Sequence, residues 1–248
     1  WGISAEGVFP PAKSQYLFEG NRIFKSVSGT GIGFGAPNGI VIRNNVLHNG
    51  YIYSGGDPTL PAYNLEIYNN TFHNGGVFFG DTHGVKMRNN LFLGDGVMQY
   101  IGGYDFDGLD SDYNLTAPVG AMLSDVEGPH SIVFPSTTGI VVNPAVGDFH
   151  LVSGSPAIDK GINLSATGFA IDFDGLVRPQ GTAWSIGAYE YYEYSDTATR
   201  LTIMITILNT IRQTLSQPLA SLSAATLTVV VDAISQVQRM LISMLQGG

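Results

Sequence analysis

The sequence has no cysteine, which removes disulfide frameworks and thiolate metal sites and leaves the redox compartment unread. Charge is scarce, at 12% of residues, and cations are scarcer than anions, 11 against 20, for a net charge of −9. Binding nucleic acid needs a basic face to neutralise phosphates, so DNA and RNA are not expected partners. The chain has no Gly-x-Ser-x-Gly elbow, phosphate loop, dinucleotide fingerprint or His-Glu-x-x-His helix. The common serine-hydrolase, nucleotide and zinc-protease readings fall away with them. It opens at Trp1 with no Met, basic n-region or apolar h-region, and is expected to be a processed form or a fragment.

What is abundant is glycine, 32 of 248 residues, in a chain that is 44% hydrophobic. That combination describes a turn-rich protein of many short strands with enough apolar surface for a core. Aligned on itself, the chain repeats one motif three times: Ile40-Val-Ile-Arg-Asn-Asn-Val-Leu-His-Asn-Gly50, Leu65-Glu-Ile-Tyr-Asn-Asn-Thr-Phe-His-Asn-Gly75 and Val85-Lys-Met-Arg-Asn-Asn-Leu-Phe-Leu-Gly-Asp95. Weaker copies at Glu19–Phe24 and Ser111–Leu115 extend the series. The marker asparagines then fall at Asn21, Asn45, Asn70, Asn90 and Asn114, in steps of 24, 25, 20 and 24. A period of this length with alternating apolar residues and no helical spacing predicts a β-solenoid in which each repeat is one coil.

Period-two alternation turns Ile40, Leu65, Val85, Ile42, Ile67 and Met87 inward, with Leu47, Phe72 and Phe92 rejoining the core after the bend. Val41, Glu66 and Lys86, beside Arg43, Tyr68 and Arg88, are expected to face solvent. The second Asn of each pair sits at the bend. Stacked at roughly 4.8 Å, such amides can bond coil to coil as an asparagine ladder.

These Asn-Asn coils resemble the right-handed parallel β-helix repeat family of mostly secreted or surface proteins, the pectate-lyase-like superfamily. The closing segments also look like that family's C-terminal end: Asp148-Phe-His-Leu-Val-Ser-Gly-Ser-Pro-Ala-Ile-Asp-Lys-Gly161, Asp172-Phe-Asp-Gly-Leu-Val-Arg-Pro179 and Ser185-Ile-Gly-Ala-Tyr-Glu190. The resemblance covers roughly Tyr16 to Tyr191 and implies a mainly β fold and an extracellular or cell-surface location. It leaves function open, because the family includes polysaccharide lyases, epimerases and adhesins. With about five recognisable coils and no obvious N-terminal cap, the solenoid is expected to lack N-terminal coils.

Composition changes after Tyr194. From Thr197 onward there is no aromatic residue, and only Arg200, Arg212, Asp232 and Arg239 are charged. The expected organisation is a β-helix over 1–194 and an apolar tail over 195–248. Leu201, Met204, Leu208, Ile211 and Leu215 follow heptad spacing, and Leu227, Val230, Ile234, Val237, Leu241 and Met244 repeat it beyond Pro218. A C-terminal α-helical hairpin is predicted, serving either as a lid on the solenoid end or as an oligomerisation device. Polar interruptions such as Asn209, Arg212, Asp232 and Arg239 argue against a transmembrane span.

Candidate chemistry is sparse. The outward column Arg43, Tyr68 and Arg88, with Lys86, surrounds a phenol with cations and could contact an acidic polysaccharide. In a lyase, Lys86, Arg88, Tyr68 and Arg43 would be the catalytic candidates, neutralising a uronate carboxylate and taking its C5 proton. The competing reading is a solvated face of ordinary cross-strand pairs. His48 and His73 occupy equivalent positions and could stack as metal ligands or simply serve the turn. Asp105, Asp107, Asp110 and Asp112 form the densest oxygen cluster, a Ca²⁺ candidate lacking the terminal Glu of a twelve-residue calcium loop. No cofactor is required by anything in the sequence. By the family resemblance, Asp172, Asp174 and Arg178, with Asp159 or Glu190, form a structural latch that locks the last coil. Sequons stand at Asn69, Asn114 and Asn163.

Three functions fit these features. The first is a non-enzymatic surface protein, structural or glycan-contacting, that self-assembles as a homo-oligomer or filament through its tail or open coil end. The second is a lyase or epimerase on a uronate polymer. The third is a fibre or spike subunit.

Overall fold

The computed structural model describes residues 3–8, 16–57, 59–94, 98–100, 108–118, 128–192 and, in the tail, 205–209, 211, 212, 230, 233, 234 and 237. The chain divides into two compact units, Trp1–Tyr191 and Tyr192–Gly248.

The first unit is a parallel β-helix. One sheet stacks the strands Tyr16–Glu19, Asn38–Arg43, Ala62–Tyr68, Lys86–Arg88 and Asp110–Asp112. The other stacks Ile3–Val8, Arg22–Ala36, Val46–Ser54, Thr71–His73, Leu91–Leu93, Leu115–Ala117 and Ile132–Val133, with Gly76–Phe79 and Met98–Tyr100 alongside. Every pairing within these two sheets is parallel, and equivalent repeat positions lie opposite one another: Ile42 beside Ile67, Ile67 beside Met87, Leu47 beside Phe72. An identical register in successive coils is what a sequence repeat must give when each coil is one repeat.

The predicted inward residues fill the interior. Ile40, Ile42, Leu47, Leu65, Ile67, Phe72, Val85 and Met87 are wholly buried in one cluster, and the rings of Phe72 and Phe92 stack with centroids 4.8 Å apart. Each such side chain contributes about 1.5–3 kcal/mol by leaving water. Coils approach closely: a Cβ on Gly75 would collide with the backbone carbonyl of Gly50, so glycine is required there.

The asparagine ladder runs through this interior. The side-chain amides of Asn21, Asn45, Asn70 and Asn90 donate to the Oδ1 of Asn45, Asn70, Asn90 and Asn114, at 2.9, 2.9, 3.0 and 3.0 Å. Each Oδ1 also accepts the backbone N–H of the preceding asparagine. The ladder's last described rung is a serine, since Asn114 N–H donates to Ser131 Oγ at 3.1 Å. Amides at the bend cannot be reached by sheet pairing, so the side chains satisfy what the turn leaves open.

The closing segment departs from expectation. Instead of locking a last coil, residues 144–190 return along the outside of the solenoid. The first Asn of each pair, left-handed at Asn44, Asn69 and Asn89 (φ 51, 48 and 57), points its side chain outward and holds this segment. Asn44 donates to Ile171 O, Asn69 to Ser185 O and Gly187 O, and Asn89 to Ile162 O. A second apolar cluster forms beneath it, with Val46, Leu91 and Leu115 of the sheet packed by Ile140, Phe149, Ile186, Ala188 and Tyr189.

In the tail, residues 205–209, 211 and 212 are helical, as are Val230, Ala233, Ile234 and Val237. Leu201, Met204, Leu215, Leu227, Leu241 and Met244 lie outside the described residues, and the two-helix hairpin is not established. Among the described residues no helix is long and apolar enough to cross a membrane.

Candidate functional site

The basic column is in place but engaged. Arg43, Tyr68 and Arg88 lie in register on adjacent strands. Arg43 Nε donates to Glu19 Oε1 at 2.9 Å and Nη2 to Oε2 at 3.2 Å, while the guanidinium lies 4.6 Å from the centre of the Phe169 ring. Arg88 donates to the carboxylate of Asp110 and, at 2.6 Å, to its carbonyl. Tyr68, expected to face solvent, is buried with Phe169 and Trp184, which the returning segment lays over it. Burial pushes its phenol well up, and the negative charge of Glu66 adds to this. A phenol so raised does not serve as a base near neutrality. Lys86 remains exposed, in register with Glu66 and Asp110.

Of the aspartate cluster, Asp105 and Asp107 lie outside the described residues. Asp110 is paired with Arg88, and Asp112 bonds His130 Nδ1 at 2.7 Å and accepts the N–H groups of Tyr113 and His130. Burial pushes the Asp112 carboxyl up, but these hydrogen bonds outweigh it and hold it below the usual range. The two described carboxylates thus turn to separate protein partners. His48 and His73 do stack, with Nδ1 atoms 2.7 Å apart, and Phe149 packs beside both.

The latch is a buried network with one member reassigned. Arg178 and Glu190 pair at 2.7 Å with both side chains fully buried. Arg178 also donates to Asn44 Oδ1 and to the carbonyls of Gly187 and Ala188. Asp172 accepts from the N–H groups of Asp174, Leu176 and Glu190, and burial pushes its carboxyl up to about 6 against the pull of Arg178. Asp174 instead meets His150 Nε2 at 2.7 Å, and Asp159 holds Thr182 and Ala183. Of the three sequons, Asn69 and Asn114 are wholly buried, which leaves Asn163 as the exposed one.

The returning segment covers the Asn-Asn bend and the strands flanking it. Away from that bend the strands carry outward aromatic rings outside the Asn-Asn motif. In Val46–Ser54, Ile52 and Ser54 point inward, so Tyr51 and Tyr53 point out. On the next coil Phe78 lies opposite Tyr53, its ring centroid 4.5 Å from that of Tyr51. Beyond the turn that Asp57 and Leu60 close, Tyr63 and His83 stack with centroids 5.2 Å apart, and buried Asp81 meets His83 Nε2 at 2.7 Å. Tyr53 and Tyr63 are 37% and 42% exposed. The signal was present in the sequence as Tyr51-Ile-Tyr53-Ser54, polar-tipped rings at the outward phase of a strand.

A family model described as "Right handed beta helix region" matches residues 1–103. No curated protein and no solved structure matches the chain. Residues 1–103 are thus similar to the right-handed β-helix family, and the parallel stacked coils and internal asparagine ladder show that the first unit has the parallel β-helix fold.

Proposed function

We propose that this chain is a non-enzymatic, carbohydrate-contacting β-helix of the cell surface or extracellular space, which grips saccharide along its outward aromatic face. The observation that carries this reading is the row formed by Tyr51, Tyr53 and Phe78 on adjacent coils, with Tyr63 beyond the next turn. Rigid rings with a polar tip pack against the C–H face of a sugar while the phenol exchanges hydrogen bonds with its hydroxyls. A parallel solenoid repeats such contacts at strand spacing, which suits a polymer. With Arg43 and Arg88 paired to carboxylates and a net charge of −9, the favoured ligand is an uncharged polysaccharide rather than the acidic one the basic column implied.

Affinity electrophoresis through gels containing neutral glucans or mannans, and separately polygalacturonate, tests this. Retardation in a neutral gel that is lost in Tyr53→Ala is expected. Retardation only by the uronate polymer, unaffected by Tyr53→Ala, would overturn it. The lyase reading predicts uronate release that disappears in Lys86→Ala or Arg88→Ala; the burial of Tyr68 weighs against it.

Self-association through the tail is the second part of the proposal. Ile205 and Leu208 are 58% and 50% exposed on the helical stretch where Ile211 is buried. Leu208 and Ile211 share one apolar stripe, and a stripe only partly covered favours a further helical neighbour.

A further inference from the structure

His150 contacts a carboxylate with each ring nitrogen. Its Nδ1 lies 2.5 Å from Asp148 Oδ1 and its Nε2 2.7 Å from Asp174 Oδ2. An ionised carboxylate only accepts, and a neutral imidazole donates from one nitrogen alone. Both bridges therefore require the trio to hold a second proton, most simply as an imidazolium. With one proton fewer, a ring lone pair faces a carboxylate oxygen across hydrogen-bond distance. All three side chains are 15–23% exposed, so the proton exchanges with solvent although the charges are largely desolvated.

We propose that Asp148, His150 and Asp174 form a proton-dependent clasp, tying the strand Asp148–Leu151 to the turn at 172–175 while His150 is charged and loosening that tie when it is neutral. The two ends are far apart in sequence and belong to the segment that wraps the solenoid. Phe149, between the clasp residues, packs on the His48–His73 pair, so the clasp also seats that ring.

Among the described residues, the titratable groups facing His150 are Asp148 on its own strand, Asp174 on the turn and Tyr189, whose ring centroid is 4.2 Å away. The antiparallel neighbour Val141–Asn143 has no titratable side chain. Asp172, next along the turn, directs its carboxylate to backbone N–H groups and to Arg178.

The sign follows from proton binding. A histidine that holds its proton more tightly in the folded chain stabilises it fully below its ordinary value of about 6.5 and loses that contribution as pH rises through the folded value. Asp172, raised by burial to about 6, acts in the same direction at lower pH, because the folded chain binds its proton more readily than the unfolded one. The wrapping segment is thus fastened most tightly in mildly acidic solution.

The test is an NMR titration of the His150 ring in the full chain, beside thermal melts of wild type and His150→Gln at pH 6 and pH 9. Asp172 is common to both proteins, so their difference isolates His150. The ring is expected to titrate clearly above 6.5, and the variant to melt on the order of 3 °C lower at pH 6 with the difference gone at pH 9. Titration at or below 6.5, or a deficit equal at both pH values, would overturn the clasp. The ring titration decides the matter in the wild-type chain even where the variant folds poorly.

Discussion

Replacing Asn70 by alanine removes four hydrogen bonds from the middle of the ladder. Its Nδ2 donates to Ile42 O at 2.9 Å and to Asn90 Oδ1 at 3.0 Å, and its Oδ1 accepts from the backbone and side-chain amides of Asn45 at 3.0 and 2.9 Å. Some partners keep a substitute: Asn45 Nδ2 still reaches Phe18 O, and Asn90 Oδ1 still accepts Asn70 N–H. The Ile42 carbonyl stays within the paired strand Asn38–Arg43, but the buried Asn45 N–H loses its acceptor. The orphaned donor costs about 1–3 kcal/mol and each of the other three lost bonds about 0.5–1.5, so Asn70→Ala is expected to cost about 4 kcal/mol. The end rung differs: Asn21 is half-buried, its side chain donates to Asn45 Oδ1 and Glu19 O, and alanine there costs about 1 kcal/mol. Urea unfolding of the two variants measures the difference, with unchanged m-values confirming that the native state stays compact. Equal losses within error would refute the idea that the ladder is a buried, mutually dependent network.

The Arg178–Glu190 pair gives a second test of buried polarity. Arg178→Met alone leaves Glu190 charged and unpaired in a dry site and should cost about 3–5 kcal/mol, whereas Arg178→Met with Glu190→Leu should recover part of that loss. A double variant less stable than the single one by a further full increment would show that the two side chains act independently. For the tail, light scattering across a concentration series should find the intact chain multimeric and a version ending at Tyr194 monomeric; equal monomeric masses would remove the assembly role.

The interior of the solenoid was legible because a coil repeats its environment: a residue at one repeat position predicts the burial of its equivalents, and Ile42, Ile67 and Met87 obey that rule. The ladder was legible for the same reason. The wrapping segment was not, since its contacts pair residues such as Asn69 and Gly187, 118 positions apart, with no periodicity to align them. The Asn-Asn doublet carries half of that message: the second Asn serves the ladder, while the first, apart from the bond from Asn89 to Asn69, binds the segment that lies outside. Missing the wrap made Tyr68 look solvent-facing, because alternation says which side of a strand a residue takes and not what covers that side. The outward cations are likewise legible in the sequence, but not the carboxylates of Glu19 and Asp110 that neutralise them.

The most direct test of the proposed role is hydrogen exchange of the intact chain with and without a saturating neutral oligosaccharide. Protection confined to the strands bearing Tyr51, Tyr53, Tyr63 and Phe78 is the predicted result. Protection centred instead on Arg43, Lys86 and Arg88, or none with any saccharide, would contradict the assignment of that aromatic face as the binding surface.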